Sequence, residues 1–102
     1  MLMEPLRVSV LDVAKKYLAS LPEEERALIT AGISKIQVGD FSAAHTKQLR
    51  GAVREFIVGY HRILYFVIDN RLCVVSGFRK KTNKTPKKEI GYAEKIYKLL
   101  KQ

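Results

Sequence analysis

Apolar residues recur along this chain with two different periods, and the change between them divides it into a helical first part and a strand-rich second part. Val10, Val13, Ala14, Tyr17, Leu18 and Leu21 fall at helical spacing, which predicts a first helix from about Ser9 to Ser20. Residues 6–10 also read as a short edge strand, but the helical spacing claims that segment. Ser20-Leu21-Pro22-Glu23 matches a capping box with proline in the first turn, and Glu24 and Glu25 follow it. Such a pattern opens a second helix, because carboxylates favour the positive end of the helix dipole. Leu28, Ile29, Ile33 and Ile36 give that helix an apolar stripe, and Gly39-Asp40 stops it near Val38. The two helices are expected to form an antiparallel hairpin. Residues 40–52 show no period and read as a loop.

From Val53 the period becomes strand-like. Val53–Val58, Tyr60–Ile68 and Leu72–Phe78 are rich in β-branched and aromatic residues and are separated by Gly59 and by Asp69-Asn70, which predicts an antiparallel meander. The second and third strands are apolar on both faces and call for cover on both sides. Thr85 and Pro86 suit an N-cap and a first helical position for a last helix whose stripe is Ile90, Ala93, Ile96, Tyr97 and Leu100. The expected fold is α+β: an N-terminal helical hairpin, an antiparallel sheet of three to four strands and a C-terminal helix, in a single domain over 1–102.

The turn at Asp69-Asn70 also predicts which residues face each other. A two- or four-residue loop puts Ile68 opposite Arg71, Phe66 opposite Cys73, Leu64 opposite Val75 and Arg62 opposite Gly77. Arg79 then becomes Arg62's diagonal neighbour on one face, where the two would repel unless both reached one phosphate or a carboxylate such as Glu55; a shared anion site is the expectation, and Gly77 leaves room beside it. A three-residue loop would shift the register by one and send the arginines to opposite faces.

With 102 residues and 47% apolar content, the chain is long enough to bury a core without disulfides. Its one cysteine, Cys73, sits in an apolar strand and reads as a small core residue, consistent with a reducing cytoplasm. Met1-Leu2-Met3 is too short for a signal sequence, and no apolar run approaches the roughly 20 residues of a membrane span. Charge adds what periodicity cannot. Nineteen Lys and Arg against ten Asp and Glu give a net charge of +9, and six of the ten residues from Arg79 to Lys88 are basic. Charges packed this densely repel one another, so a run fixed to a strand end points to an anionic partner, with nucleic acid phosphate first. A solvated lysine-rich loop is the alternative.

Several chemistries lack their residues. There is no glycine-rich phosphate loop, and His45, His61 and Cys73 do not sit at metal-ligand spacing, so no metal or cofactor is expected. Pro22-Glu23-Glu24-Glu25 would repel a DNA groove, which argues against a DNA-reading helix-turn-helix. Ser76 lacks a nucleophile elbow. His61 reads first as a structural residue, with base work left open by histidine's ordinary titration range. A cluster of Arg and Lys can still cleave RNA, because the ribose carries its own nucleophile and the protein need only stabilise the phosphorane and move protons. A phosphate-binding surface with no chemistry has the same composition.

Four pieces occur in order: Leu49-Arg50-Gly51; Tyr60-His61-Arg62-Ile63-Leu64-Tyr65; Phe78-Arg79-Lys80-Lys81-Thr82-Asn83-Lys84-Thr85-Pro86; and Glu89-Ile90 followed by Ala93. Together they resemble the phage-derived branch of the RelE/HigB toxins, best over residues 47–100. The resemblance implies a RelE-like fold and the toxin of a toxin-antitoxin pair, a metal-independent endoribonuclease that cleaves mRNA, commonly on the ribosome. Its cognate antitoxin is expected to be a small helix-turn-helix protein. Carried onto this chain, Arg62, Arg79, Lys80 and Lys81 are the catalytic candidates. Lys47, Arg50, Arg54, Lys84, Lys87 and Lys88 are candidates for RNA binding, and Glu55, His61 and Tyr92 for orienting or proton transfer. Two positions depart from the pattern. Where many members carry E-L-R, this chain has Glu55-Phe56-Ile57, with Arg54 alongside, and the tyrosine of the last helix falls at Ile90, two residues before Tyr92. Glu55 also reads as a strand ion-pair partner and Tyr92 as a surface residue. A non-catalytic nucleic-acid-binding module is the alternative function, and a scaffold for a partner protein a third.

Overall fold

The computed structural model describes residues 4–40 and 44–101; Met1-Leu2-Met3 and part of the expected 40–52 loop lie outside these. The elements are β1 (Arg7–Val10), α1 (Asp12–Ala19), α2 (Glu23–Gln37), β2 (Thr46–Arg50), β3 (Val53–Val58), β4 (His61–Ile68), β5 (Arg71–Arg79) and α3 (Lys87–Lys101). They form an α+β fold around one five-stranded sheet of order β1-β5-β4-β3-β2.

Two strands differ from expectation. Residues 7–10 are not the start of the first helix but β1, parallel to β5. The free edge of β5 supplies the backbone partners: Arg7 N–H donates to the Asn70 carbonyl and Leu11 N–H to the Val74 carbonyl. Within the expected loop lies β2, antiparallel to β3, with Lys47 opposite Glu55. An edge strand of Thr, Lys, Gln and Arg carries no strong apolar alternation, and backbone pairing with β3 makes it a strand. The sheet is therefore mixed and five-stranded rather than antiparallel with three or four strands.

Helix ends also correct the capping readings. Ser20 does not cap α2; its hydroxyl donates back to the Tyr17 carbonyl, and Pro22 stands at the N-cap with no side-chain cap. Glu23, Glu24 and Glu25 occupy the first turn as expected. Thr85 does not cap α3 either, because its hydroxyl donates to the Glu55 carboxylate at 2.6 Å, and Pro86 supplies the carbonyl that accepts from Glu89 and Ile90. Of the expected stripes, Leu28 and Leu100 are exposed, while Ile29, Ile33, Ile36, Ile90 and Ala93 are buried.

The sheet is covered on both faces. On one side Phe56, Ile63, Tyr65, Leu72 and Val74 pack with Ala14 of α1 and Ile29, Ile33 and Ile36 of α2. On the other, Val53, Leu64, Phe66, Cys73 and Val75 pack with Ala93 of α3. Cys73 is buried, as expected, and burial pushes its thiol up against an opposing effect of Arg71. The β4–β5 hairpin turns through Asp69 and Asn70, both left-handed (φ 46° and 62°), the conformation that a two-residue turn between twisted strands requires.

Gly32 is where α2 approaches the sheet most closely, since a Cβ there would stand 1.8 Å from the Phe56 ring. The buried ring has nowhere to go. Gly32→Ala should cost about 2 kcal/mol or more of stability by overpacking, read as a lower urea midpoint; an unchanged midpoint would show that the helix can lift off the ring.

Candidate functional site

The β4–β5 register decides how the basic groups are disposed. Pairing follows expectation from Ile68 opposite Arg71 to Phe66 opposite Cys73, then shifts: Tyr65 faces Val74, Leu64 faces Ser76, Ile63 faces Gly77, Arg62 faces Phe78 and His61 faces Arg79. Val75 is one extra residue on β5, a bulge no turn rule foretells. The expected pairs Leu64 with Val75 and Arg62 with Gly77 are therefore not formed. Because side chains alternate across a strand, Arg62 points to the α3 side of the sheet and Arg79 to the α1–α2 side. The shared-phosphate geometry expected for this pair is not there.

Arg62 is turned inward. Its side chain is 11% exposed, its Nε lies 3.7 Å from the Glu55 carboxylate, and its guanidinium donates to the Gly59 and His61 carbonyls at 2.8 and 3.0 Å. Glu55, buried at 3% exposure, accepts from Thr85 as well, so one carboxylate ties the β3–β4 turn and the basic segment to the same point. Gly77 is not open space beside Arg62. It faces the other side, where a Cβ would stand 2.5 Å from the Tyr17 ring.

Arg79, by contrast, is exposed, its guanidinium 5.7 Å from the centre of the Tyr60 ring. Lys80 N–H donates to the Tyr60 carbonyl at 2.7 Å, which fixes the path by which the chain leaves β5. Lys81, Lys84, Lys87 and Lys88 are exposed along the segment that crosses the sheet end to α3. Lys47 is exposed on β2. Arg50 is paired with Glu94 at 3.0 Å, and Arg54 donates to Tyr65 Oη and Thr46 Oγ1 on the α1–α2 side. Tyr92 packs against the α3-side core, near Val13, Lys88 and Glu89. Among the described residues no group of three or more His, Cys, Asp or Glu is placed to hold a metal ion.

His61 is buried, and both of its ring nitrogens are engaged. Nε2 lies 2.7 Å from Glu25 Oε1 and Nδ1 2.5 Å from Tyr17 Oη. Burial pushes the Tyr17 hydroxyl above its ordinary pKa; the Arg79 charge opposes this and Glu25 adds to it. Sequence reading passed over Tyr17 as one of a helical stripe and Glu25 as a first-turn carboxylate. Nothing local connects positions 17, 25 and 61. Tyr60, an exposed aromatic beside Arg79, carried a readable signal, because aromatic residues interleaved with basic ones are how single-stranded nucleic acid is held.

The fold, three helices and one five-stranded sheet, is similar to that of solved RelE toxins. The isolated Escherichia coli RelE toxin superposes with a TM-score of 0.61 at 17% identity, covering 92% of this chain and 98% of that one. A chain of the intact E. coli RelBE toxin-antitoxin complex gives 0.61 at 18% identity, covering 76% of this chain and 99% of that one. Within that fold the chain belongs to the phage-derived Gp49-like proteins, whose family profile matches residues 16–98. It is also 31% identical over 93 residues to a Mycobacterium tuberculosis protein named Probable endoribonuclease HigB1, covering 84% of this chain and 74% of that one.

The two arginines should respond differently to truncation. Arg62→Ala strips the buried Glu55 of its cation and should cost about 3 kcal/mol, whereas Arg79→Ala, at an exposed site, should stay within about 0.5 kcal/mol of the parent. Urea unfolding of both variants checks this; equal losses would contradict the inward-facing reading of Arg62.

Proposed function

We propose that this protein is the toxin of a toxin-antitoxin pair, a metal-independent endoribonuclease that cleaves mRNA on the ribosome and is held silent in the cytoplasm by a small helix-turn-helix antitoxin. The observation that carries the reading is the HigB1 relative, because the matched family region, 16–98, contains the whole basic segment. Membership in a family whose named relative is an endoribonuclease favours cleavage over passive binding of the same phosphates.

In this reading RNA crosses the basic end of the sheet. Lys80 and Lys81 attract the backbone, Lys84, Lys87, Lys88 and Lys47 extend the path, and Tyr60 offers a ring for a base to stack on. Arg79 stands where its planar fork can grip the scissile phosphate and stabilise the charge that develops on the phosphorane. Arg62 takes a different role from the one the resemblance implies. Already bonded to Glu55 and two carbonyls, it braces the β3–β4 turn that carries Tyr60. The ribose 2′-oxygen attacks phosphorus, the 5′-oxygen leaves, and the product ends in a 2′,3′-cyclic phosphate. Nothing in that route calls for a metal. An antitoxin that covers this surface with carboxylates would both neutralise it and exclude RNA. The inward turn of Arg62 favours a second reading, a basic module that binds RNA without cutting it.

Translating ribosomes loaded with a defined mRNA separate the two. Cleavage should stop when the nucleotide at the cut is 2′-deoxy and fall about 10²-fold in Arg79→Ala, as for loss of a transition-state charge stabiliser. Tight RNA binding with no cleavage would leave the binding module as the function.

A further inference from the structure

The basic segment between β5 and α3 is tied to the sheet at both ends, and attraction for phosphate alone gives those ties no use. At its start Lys80 N–H donates to the Tyr60 carbonyl at 2.7 Å. At its end Thr85 Oγ1 donates to Glu55 Oε1 at 2.6 Å, across 30 positions of chain. Between them the Thr82 hydroxyl donates to the Lys84 carbonyl at 2.8 Å, which closes a local turn around Asn83. A threonine just ahead of a helix ordinarily turns its oxygen to the first helical N–H groups. Here the hydroxyl goes to β3 instead, to a carboxylate that is 3% exposed.

Glu55 makes a firm anchor. Arg62 Nε stands 3.7 Å from the same carboxylate oxygen, and the Gly59 and His61 carbonyls hold Arg62 in turn. Moving either the hydroxyl or the guanidinium away would leave a buried carboxylate short of a partner. Lys81, Thr82, Asn83 and Lys84 are exposed, so the anchor grips the segment from beneath and leaves its lysines to solvent.

We propose that Thr85 is a positioning residue for RNA: bonded to Glu55, it fixes the path of residues 81–84, so that Lys81 and Lys84 meet the phosphate backbone already ordered. This rests on the reading of the basic segment as part of the path of a cleaved RNA. Six positive charges within ten residues repel one another, and a loose segment of that composition spreads into solvent. Drawing it back onto RNA would remove backbone and side-chain freedom, a loss that subtracts from the attraction of the phosphates. Ordering the segment in advance avoids that loss. Arg79 lies on β5, ahead of both ties, and keeps its place whether or not Thr85 is bonded. The tie therefore acts on affinity and not on the chemical step.

Thr85→Val tests this, because it keeps the shape of the side chain and removes the hydroxyl donor. With a defined mRNA on translating ribosomes KM should rise about 10-fold, as for lost preorganisation, while kcat stays within about twofold of the parent. Thr85→Ser, which restores the donor, should return KM to the parental value. Trypsin supplies a readout that needs no RNA: the bonds after Lys81 and Lys84 should be cut about 10-fold faster in Thr85→Val than in the parent, because cutting follows local opening. A parental KM in folded Thr85→Val would overturn the proposal, as would a fall in kcat with KM unchanged. Trypsin cutting the parent protein after Lys84 as fast as it cuts a peptide of residues 78–88 would overturn it even if Thr85→Val failed to fold. Absence of mRNA cleavage by the parent protein would instead remove the endoribonuclease reading beneath it.

Discussion

Val75, the extra residue that β5 inserts opposite β4, is the constraint on which the arrangement of the site depends. A strand alternates strictly, so one inserted residue exchanges the faces of everything beyond it. Past Val75 the shift sends Gly77 and Arg79 to the α1–α2 side and leaves Phe78 opposite Arg62 on the α3 side. Gly77 then meets the Tyr17 ring, His61 lines up with Arg79, and the hairpin helices gain a polar attachment to the sheet at its basic end. The irregularity has a local cost. Among the described residues, Ser76 Oγ beside the bulge is buried without a hydrogen-bond partner, and an unmade hydrogen bond of this kind costs about 1–3 kcal/mol.

On the α3 side a second polar knot does different work. Glu55 is the acceptor that gathers Arg62 from β4 and Thr85 from the loop before α3. It ties a segment dense in like charge, at Thr85, to β3 and β4; without a tie the segment would repel itself away from the fold. The sheet end thus has two halves. One braces the basic segment from beneath, and the other presents an exposed guanidinium, an exposed aromatic ring and a hydrogen-bonded phenol.

The parts legible in the sequence were those with strong local signals. Alternation and turn chemistry placed β3, β4 and β5 to within about a residue, and helical spacing placed α2 and α3. The edge strands were not legible. β2 is a polar run, and β1 carries two valines that fit a helix equally well; each is a strand only because a neighbour offers backbone partners. Of the site, the basic run and its anionic partner were readable as composition, and a family resemblance named the chemistry it would serve. The disposition of Arg62 and Arg79 was not, because a bulge among the buried residues Val74, Val75 and Ser76 leaves no mark that distinguishes it from continuous pairing. Tyr17 and Glu25 join His61 across 44 and 36 positions of chain, a contact that only the folded sheet creates.

The central claim is that RNA is gripped at the basic end of the sheet by the exposed Arg79, while Arg62, held by Glu55, serves as a brace. A structure of the protein bound to a short RNA whose scissile nucleotide is 2′-deoxy tests it most directly. The account predicts the scissile phosphate within hydrogen-bond reach of the Arg79 guanidinium, with the Arg62–Glu55 pair unbroken. A phosphate seated on Arg62 on the α3 side, with Glu55 displaced, would contradict it.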